Sequence, residues 1–447
     1  MKTENVKMMK WLVTSVLFIV MPFFNVAVAQ DCYVAEAQDC YVAEAQDCYV
    51  AEAQDPQEEY YAISGVVRDQ ATRRVIPFVD VSVPGTNIGT VTNQDGYFLL
   101  KVGKDVVFSE VLLSCMGYVG VRIPVNKSDH LNGQYYLTPG HNTLDAAVVE
   151  GWDAQRLVEE SVRRIKVNYT TSPTLLTGFY RETAQKRGRF INVSEAVMSI
   201  YKGSYDGGDV NRDRVQILKG RQLVSTKPSD TLGVRILGGP NISIYLDVVK
   251  NTDLLLDAEA RSMVQFKLEQ PTVIDSRSQY VVSFSPIVVM PYALHYGKLY
   301  IDRETLAFTR IEFYLDMSNA EKATQAILRK KPAGMHFKPE VLYVLVNYKQ
   351  LEGKTYLSYI RNEIKFSCDW KRRLFATSYS AVSEMVVTER REGGIMPISR
   401  NSAFGSMESL SNKVMYFYDE NFWGAYNIIE PSESLESAVS RLKRQQR

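Results

Sequence analysis

Between residues 58 and 140 hydrophobic and polar positions alternate in short runs cut by turn residues. Val79, Val81 and Val83 alternate with Asp80 and Ser82, and "VVFSEVLLSCMGY", "GVRIPV" and "QYYLTP" continue in units of similar length. Pro84-Gly85 and Asp95-Gly96 supply turn chemistry, and Asn132-Gly133 predicts a further hairpin. Seven or so short strands at this spacing predict a β-sandwich over residues 58–150.

Past residue 151 the period changes. "DAQRLVEESVRRIKVNY" puts Ala154, Leu157, Val158, Val162 and Ile165 on one helical face, with Asp153 placed to cap it. Long alternating runs follow. "LTGFYRETAQ" and "RFINVSEAVMSIYKG" flank Lys186-Arg187-Gly188, which reads as a hairpin, and Glu352-Gly353 marks another. Leu299 and Ile301 alternate with Lys298 and Tyr300, and Ile311, Phe313 and Leu315 with Glu312, Tyr314 and Asp316. Such alternation predicts an antiparallel sheet with one wet face. The chain closes on a helix whose Leu435, Ala438, Val439 and Leu442 share a side. Residues 151–447 are therefore expected to form an α+β domain on an antiparallel sheet, open or half-barrel in form.

The first residues follow a different logic. Lys2, Lys7 and Lys10 precede an apolar run, Trp11 to Phe24, and Ala27-Val28-Ala29 offers small residues before Gln30. Basic, apolar, then small-x-small predicts a signal peptide over residues 1–29, and the run is short for a membrane span. Residues 30–57 hold a tandem octapeptide, "AQDCYVAE", and a linker; each "AEAQD" nearly copies the "AVAQD" junction. An in-frame duplication of the cleavage junction explains this, and a functionally silent segment is expected. Its Cys32, Cys40 and Cys48 are spaced by eight, wider than the two to four of zinc clusters.

Composition is that of a globular protein: 45% hydrophobic and 23% charged, with Lys+Arg 52 against Asp+Glu 51. That balance provides no pull toward nucleic acid or an anionic surface. Cys115 and Cys368, in "LLSCMGY" and "IKFSCDW", read as buried inert thiols, with a disulfide between them the alternative in an exported protein.

The string Gly65-Val66-Val67-x-Asp69, Ile76-Pro77, Val81-x-Val83, Gly85-Thr86, Gly89-Thr90, Asp95-Gly96-x-Phe98 and Gly117-Tyr118 resembles the carboxypeptidase regulatory-like domain. The resemblance implies a transthyretin-like sandwich that is non-catalytic, of the kind common in envelope proteins of Bacteroidetes-type bacteria. In TonB-dependent receptors a plug and a 22-stranded barrel follow it; here a helix follows "LDAAVVEG", which is not the receptor pattern. "GFYRET", "SEAVMSIYK" and "FWGAYNIIEP" resemble an uncharacterised partner domain found with that sandwich. "GKLYIDRETLAFTRIEF" is similar to a hairpin of periplasmic lipoprotein carriers, which implies a sheet able to hold acyl chains. On such a sheet Leu299, Ile301, Ile311 and Phe313 would be the ligand's wall.

Chemistry is sparse. No Glu stands three residues after His130, His141, His295 or His336, so no zinc-peptidase pattern exists. Nucleophile-elbow, phosphate-loop and CxxC motifs are missing as well. Ser440-x-x-Lys443 sits on a solvated helix and reads as chance. Arg181 should face away from Tyr180 and Glu182 as an ordinary cross-strand pair, and Phe422, Trp423 and Tyr426 should dock the terminal segment onto the core. No catalytic, cofactor-binding or metal-ligating residue is assigned, no cofactor is expected and the chain is not expected to be an enzyme. The expected function is that of an exported protein of the periplasm or outer-membrane surface that binds a partner or ligand. A periplasmic carrier of lipid or another hydrophobic ligand is the alternative, and a hydrolase using paired carboxylates the second.

Overall fold

A computed structural model describes residues 18–22, 60–125, 129–140, 152–207, 210–227, 230, 232–236, 238–330, 334–370, 376–414 and 422–446. The octapeptide repeat, most of the expected signal peptide, His141 and the "LDAAVVEG" segment lie outside them.

The N-terminal unit is a seven-stranded sandwich. One sheet holds β2 (Tyr60–Asp69), β5 (Tyr97–Gly103) and β8 (His130–Leu137), with β2 in the middle; the other runs β4 (Gly89–Val91), β3 (Asp80–Ser82), β6 (Glu110–Ser114), β7 (Val121–Pro124). Alternate residues point inward as the pattern requires, so Ile63, Val67, Val81, Phe98, Leu100, Val111, Leu113 and Leu137 form its core. The resemblance motif has local causes. Asp69 accepts hydrogen bonds from the Ala71 and Thr72 amides at 2.9 and 2.6 Å, closing a turn, and from the Tyr118 hydroxyl at 3.0 Å. Gly96 sits at φ +72°, where a side chain would be strained. Asn132-Gly133 makes no hairpin. It lies inside β8, which pairs parallel to β2, and Gly133 stands opposite Gly65. A Cβ on Gly65 would strike the Gly133 carbonyl, so glycine there serves close strand approach rather than a turn.

The second unit is built on one open ten-stranded sheet. Its order is β11 (Arg214–Val224), β10 (Arg189–Lys202), β9 (Thr174–Lys186), β20 (Thr377–Glu392), β19 (Lys354–Trp370), β18 (Met335–Leu351), β16 (Phe308–Leu315), β15 (His295–Asp302), β14 (Arg277–Pro286), β13 (Val264–Ile274). Every neighbouring pair is antiparallel. Arg187-Gly188 and Glu352-Gly353 turn with φ positive at both residues, the geometry that suits two-residue hairpins. Separately, β1 (Phe18–Pro22), from the apolar run Trp11 to Phe24, lies between β12 (Leu232–Ile236) and β17 (Leu328–Lys330).

One face of the large sheet is covered by helices. α1 (Ala154–Arg163), capped by Asp153 through the Arg156 amide, buries Leu157 and Val158 against it, as its periodicity requires. α2 (Pro240–Tyr245), α3 (Ala258–Ser262) and α4 (Ala320–Ile327) also lie in this layer. The opposite face departs from the expected wet surface. Over β9, β10, β18, β19 and β20 it buries Phe179, Val197, Leu345, Tyr359 and Val386 against Val91 of the sandwich and Phe422, Trp423, Ile428 and Ile429 of the terminal segment. The segment is thus a strap between the two units, and the aromatics dock it as expected. The strap leads into α5 (Glu433–Gln446), whose Leu435 and Leu442 pack on Val193 and Leu223.

Candidate functional site

The residues singled out by sequence divide by strand parity. Arg181 pairs with Glu195 across β9 and β10 at 2.6 Å and donates to the Ile429 carbonyl at 2.7 Å, so it ties sheet to strap. Burial works against the Glu195 charge, but Arg181 and Arg221 hold its carboxyl below the usual range. Tyr180 and Glu182 point to the helix face, with the tyrosine hydroxyl 3.1 Å from Glu182 Oε2. Glu182 lies in a buried row that crosses five strands in register: Gln222, Ser194, Glu182, Ser383 and Asn362. Burial pushes the Glu182 carboxyl up to about 8. Gln222 Oε1 and Asn362 Oδ1 meet no partner among the described residues.

A second buried cluster is fully paired. Lys202 lies 3.1 Å from Asp213 and 2.8 Å from Asp247, and Asp247 also accepts from Tyr205 and Tyr348 at 2.7 and 2.8 Å. Burial opposes the Lys202 charge, yet the two carboxylates prevail and push it up to about 12. An ammonium held so firmly is neither nucleophile nor base, and the cluster cements β10 to the 247–251 turn. Cys115 and Cys368 are free thiols in separate units, the first half-buried and the second buried. Burial pushes them up to about 11 and about 12, which leaves little thiolate. Ser440 and Lys443 lie on α5. Among the described residues no three His, Cys, Asp or Glu are grouped to hold a metal ion.

The carrier wall proves to be core. Leu299, Ile301, Ile311 and Phe313 are 0–2% exposed and packed under the helices. Open space lies instead at the β13–β16 end of the sheet. There a half-open cavity of about 360 Å³ is lined by Leu255, Met263, Phe284, Tyr292, His295, Leu315 and Ala326, and also by Asp253, Asp257, Glu259 and Lys322. Its walls have local causes. Asp257 caps α3 by accepting from the Ala260 amide at 2.7 Å, and Asn319 caps α4 through the Glu321 and Lys322 amides. The loop 286–294 closes one side, held by three ties: Ile287 N to Met263 O at 2.9 Å, Lys322 Nζ to Met290 O at 2.6 Å, and Asp316 N to Leu294 O at 2.8 Å. His295 packs edge-on to Phe313 with centroids 5.3 Å apart, and burial pushes its imidazole down to about 4, so it is neutral near pH 7. The lining is thus mostly apolar, with a neutral imidazole and four charged side chains among it.

Sequence reasoning missed this cavity, although one cue was present. Between Arg277 and Lys298 the chain carries no Asp, Glu, Lys or Arg.

No curated protein matches the chain. Similar solved structures include a putative outer membrane lipoprotein-sorting protein domain from Vibrio parahaemolyticus, 11% identical with a TM-score of 0.28 over 56% of this chain and 94% of that one. A DUF1329 family protein from Desulfovibrio piger is 11% identical with a TM-score of 0.24, covering 55% of this chain and 96% of that one. Lipovitellin is 8% identical with a TM-score of 0.24, covering 61% of this chain and 33% of that one. Residues 63–149, which hold most of the sandwich, match the family model of the CarboxypepD_reg-like domain.

Proposed function

We propose that this protein is a non-catalytic, exported envelope protein that holds an apolar ligand in the cavity under the 286–294 loop, with the sandwich braced against the other face of the sheet. The observation that carries the reading is the cavity itself, a mostly apolar opening beside a sheet whose Leu299, Ile301, Ile311 and Phe313 are packed as core. Its volume of about 360 Å³ sits at the low end of the ~300–1,000 Å³ typical of small-molecule sites. That favours one slender apolar ligand over a broad acyl-holding trough. The basic, apolar, small-x-small start of the chain supports export to the periplasm or the outer-membrane surface.

The test is direct. Mass spectrometry of a solvent extract of the purified protein is expected to find a bound lipid or other apolar molecule, and the protein is expected to bind N-phenyl-1-naphthylamine. Ala293→Trp, which fills the chamber from its loop side, is expected to weaken probe binding about tenfold or more, equivalent to ~1.4 kcal/mol, with the melting temperature little changed. Equal probe binding by the variant would discard the cavity as the site.

A further inference from the structure

The loop over the cavity has an outer side that ligand binding does not use. Ile287, Val288 and Val289 are 57%, 39% and 91% exposed, while most large apolar side chains in the described chain are covered. They stand within the charge-free run of residues 278–297. Tyr296, 44% exposed, stacks on Tyr314 at 5.5 Å, and Tyr314 meets Tyr343 at 4.8 Å, so an aromatic ladder lies behind the tip. Lys267 and Lys298 both stand opposite Ser283 and are exposed. Along β14 and β15 toward the loop the order is therefore lysine, tyrosine, aliphatic tip, with Lys322 reaching the base of the tip at the Met290 carbonyl. Side chains graded in this way match a bilayer interface, where apolar groups enter the hydrocarbon edge, tyrosine sits at headgroup depth and lysine reaches back to water.

We propose that the Ile287–Met290 tip inserts into the surface of a lipid bilayer and sets the cavity against it. A protein partner fits the tip less well: three protruding side chains fall far short of the ~800 Å² per side that a stable protein interface buries. A bilayer requires no matching shape. Nearby charges are mixed, since Glu269 lies 3.9 Å from Lys267 and Glu312 stands opposite Lys298, so apolar insertion rather than charge attraction must supply the affinity. Met290 and Tyr292 belong to both the loop and the cavity lining, which gives an apolar ligand a route to the membrane that need not cross open water.

Co-sedimentation of the purified protein with vesicles of phosphatidylethanolamine and phosphatidylglycerol tests this. Wild type is expected to pellet with vesicles and to do so at high salt as well. Val289→Asp, at a site too exposed to affect folding, is expected to lower the partition about tenfold or more. The same variant should bind N-phenyl-1-naphthylamine as wild type does, which separates this proposal from the proposed ligand site. Wild type that stays in the supernatant, binding abolished by salt, or a Val289→Asp variant that pellets normally would overturn it.

Discussion

A single carboxyl carries the clearest pH signature. Glu182 is buried on the helix face, with its proton held up to about 8 by burial. In the unfolded chain the same group titrates near ~4.3. Below that both states keep the proton and the residue costs nothing extra. As pH rises toward 8 only the unfolded chain releases it, so the contribution of Glu182 to stability falls across that window and levels off above it. Glu182→Gln keeps the shape without the titration. Its stability relative to wild type, measured by urea melts, is expected to rise by a few kcal/mol between about pH 5 and pH 8. An unchanging difference would mean that Glu182 is ionised in the fold. Tyr180, Arg181 and Glu182 show how far residue-level reasoning reaches. Strand parity separated Arg181 from its neighbours, but no sequence rule places Gln222, Ser194, Ser383 and Asn362 in one row with Glu182, because those partners come from four other strands.

Strands and helices were legible where one physical pattern dominated. The alternation about Leu299 and Ile311 marks real strands, and the Arg187-Gly188 and Glu352-Gly353 hairpins follow from their need for positive φ. Asn132-Gly133 misled because positive φ and a small side chain also serve a strand pressed against its neighbour. Alternation tells inside from outside but not filled from hollow. Leu299, Ile301, Ile311 and Phe313, which a carrier-like sheet would use as its ligand wall, pack as core; the chamber draws on α3, α4, the 286–294 loop and the ends of β14 to β16, a convergence that no local window contains. Ile311→Asp measures the difference. In packed core the unpaired carboxylate is expected to cost several kcal/mol and unfold the domain, seen as loss of the thermal transition. A folded variant would restore Ile311 to a wetted wall.

At the scale of the whole molecule the sandwich is not a loosely tethered module. Thr90 Oγ1 donates to the Ile428 carbonyl at 2.8 Å, Asn93 Nδ2 to the Pro431 carbonyl at 2.9 Å, and Asn427 pairs with the Lys101 backbone in both directions. Directly between the units, Lys349 lies 2.9 Å from Asp80 and the Gly117 amide donates to the Val273 carbonyl at 3.0 Å. Ending the chain before Phe422 would strip the apolar middle of this joint. Calorimetry of such a truncation is expected to show two separate transitions where the intact protein shows one; a single unchanged transition would mean that the strap adds nothing to the coupling. The strap also imposes an order in time. Thr90 and Ile428 are 338 positions apart, so the first unit to be synthesised must wait for nearly the whole remaining chain before its Val91 surface is sealed. Assembly of the two units is therefore a late event governed by the slowest contacts to close. Until then the nascent protein presents a sticky patch to whatever escorts it.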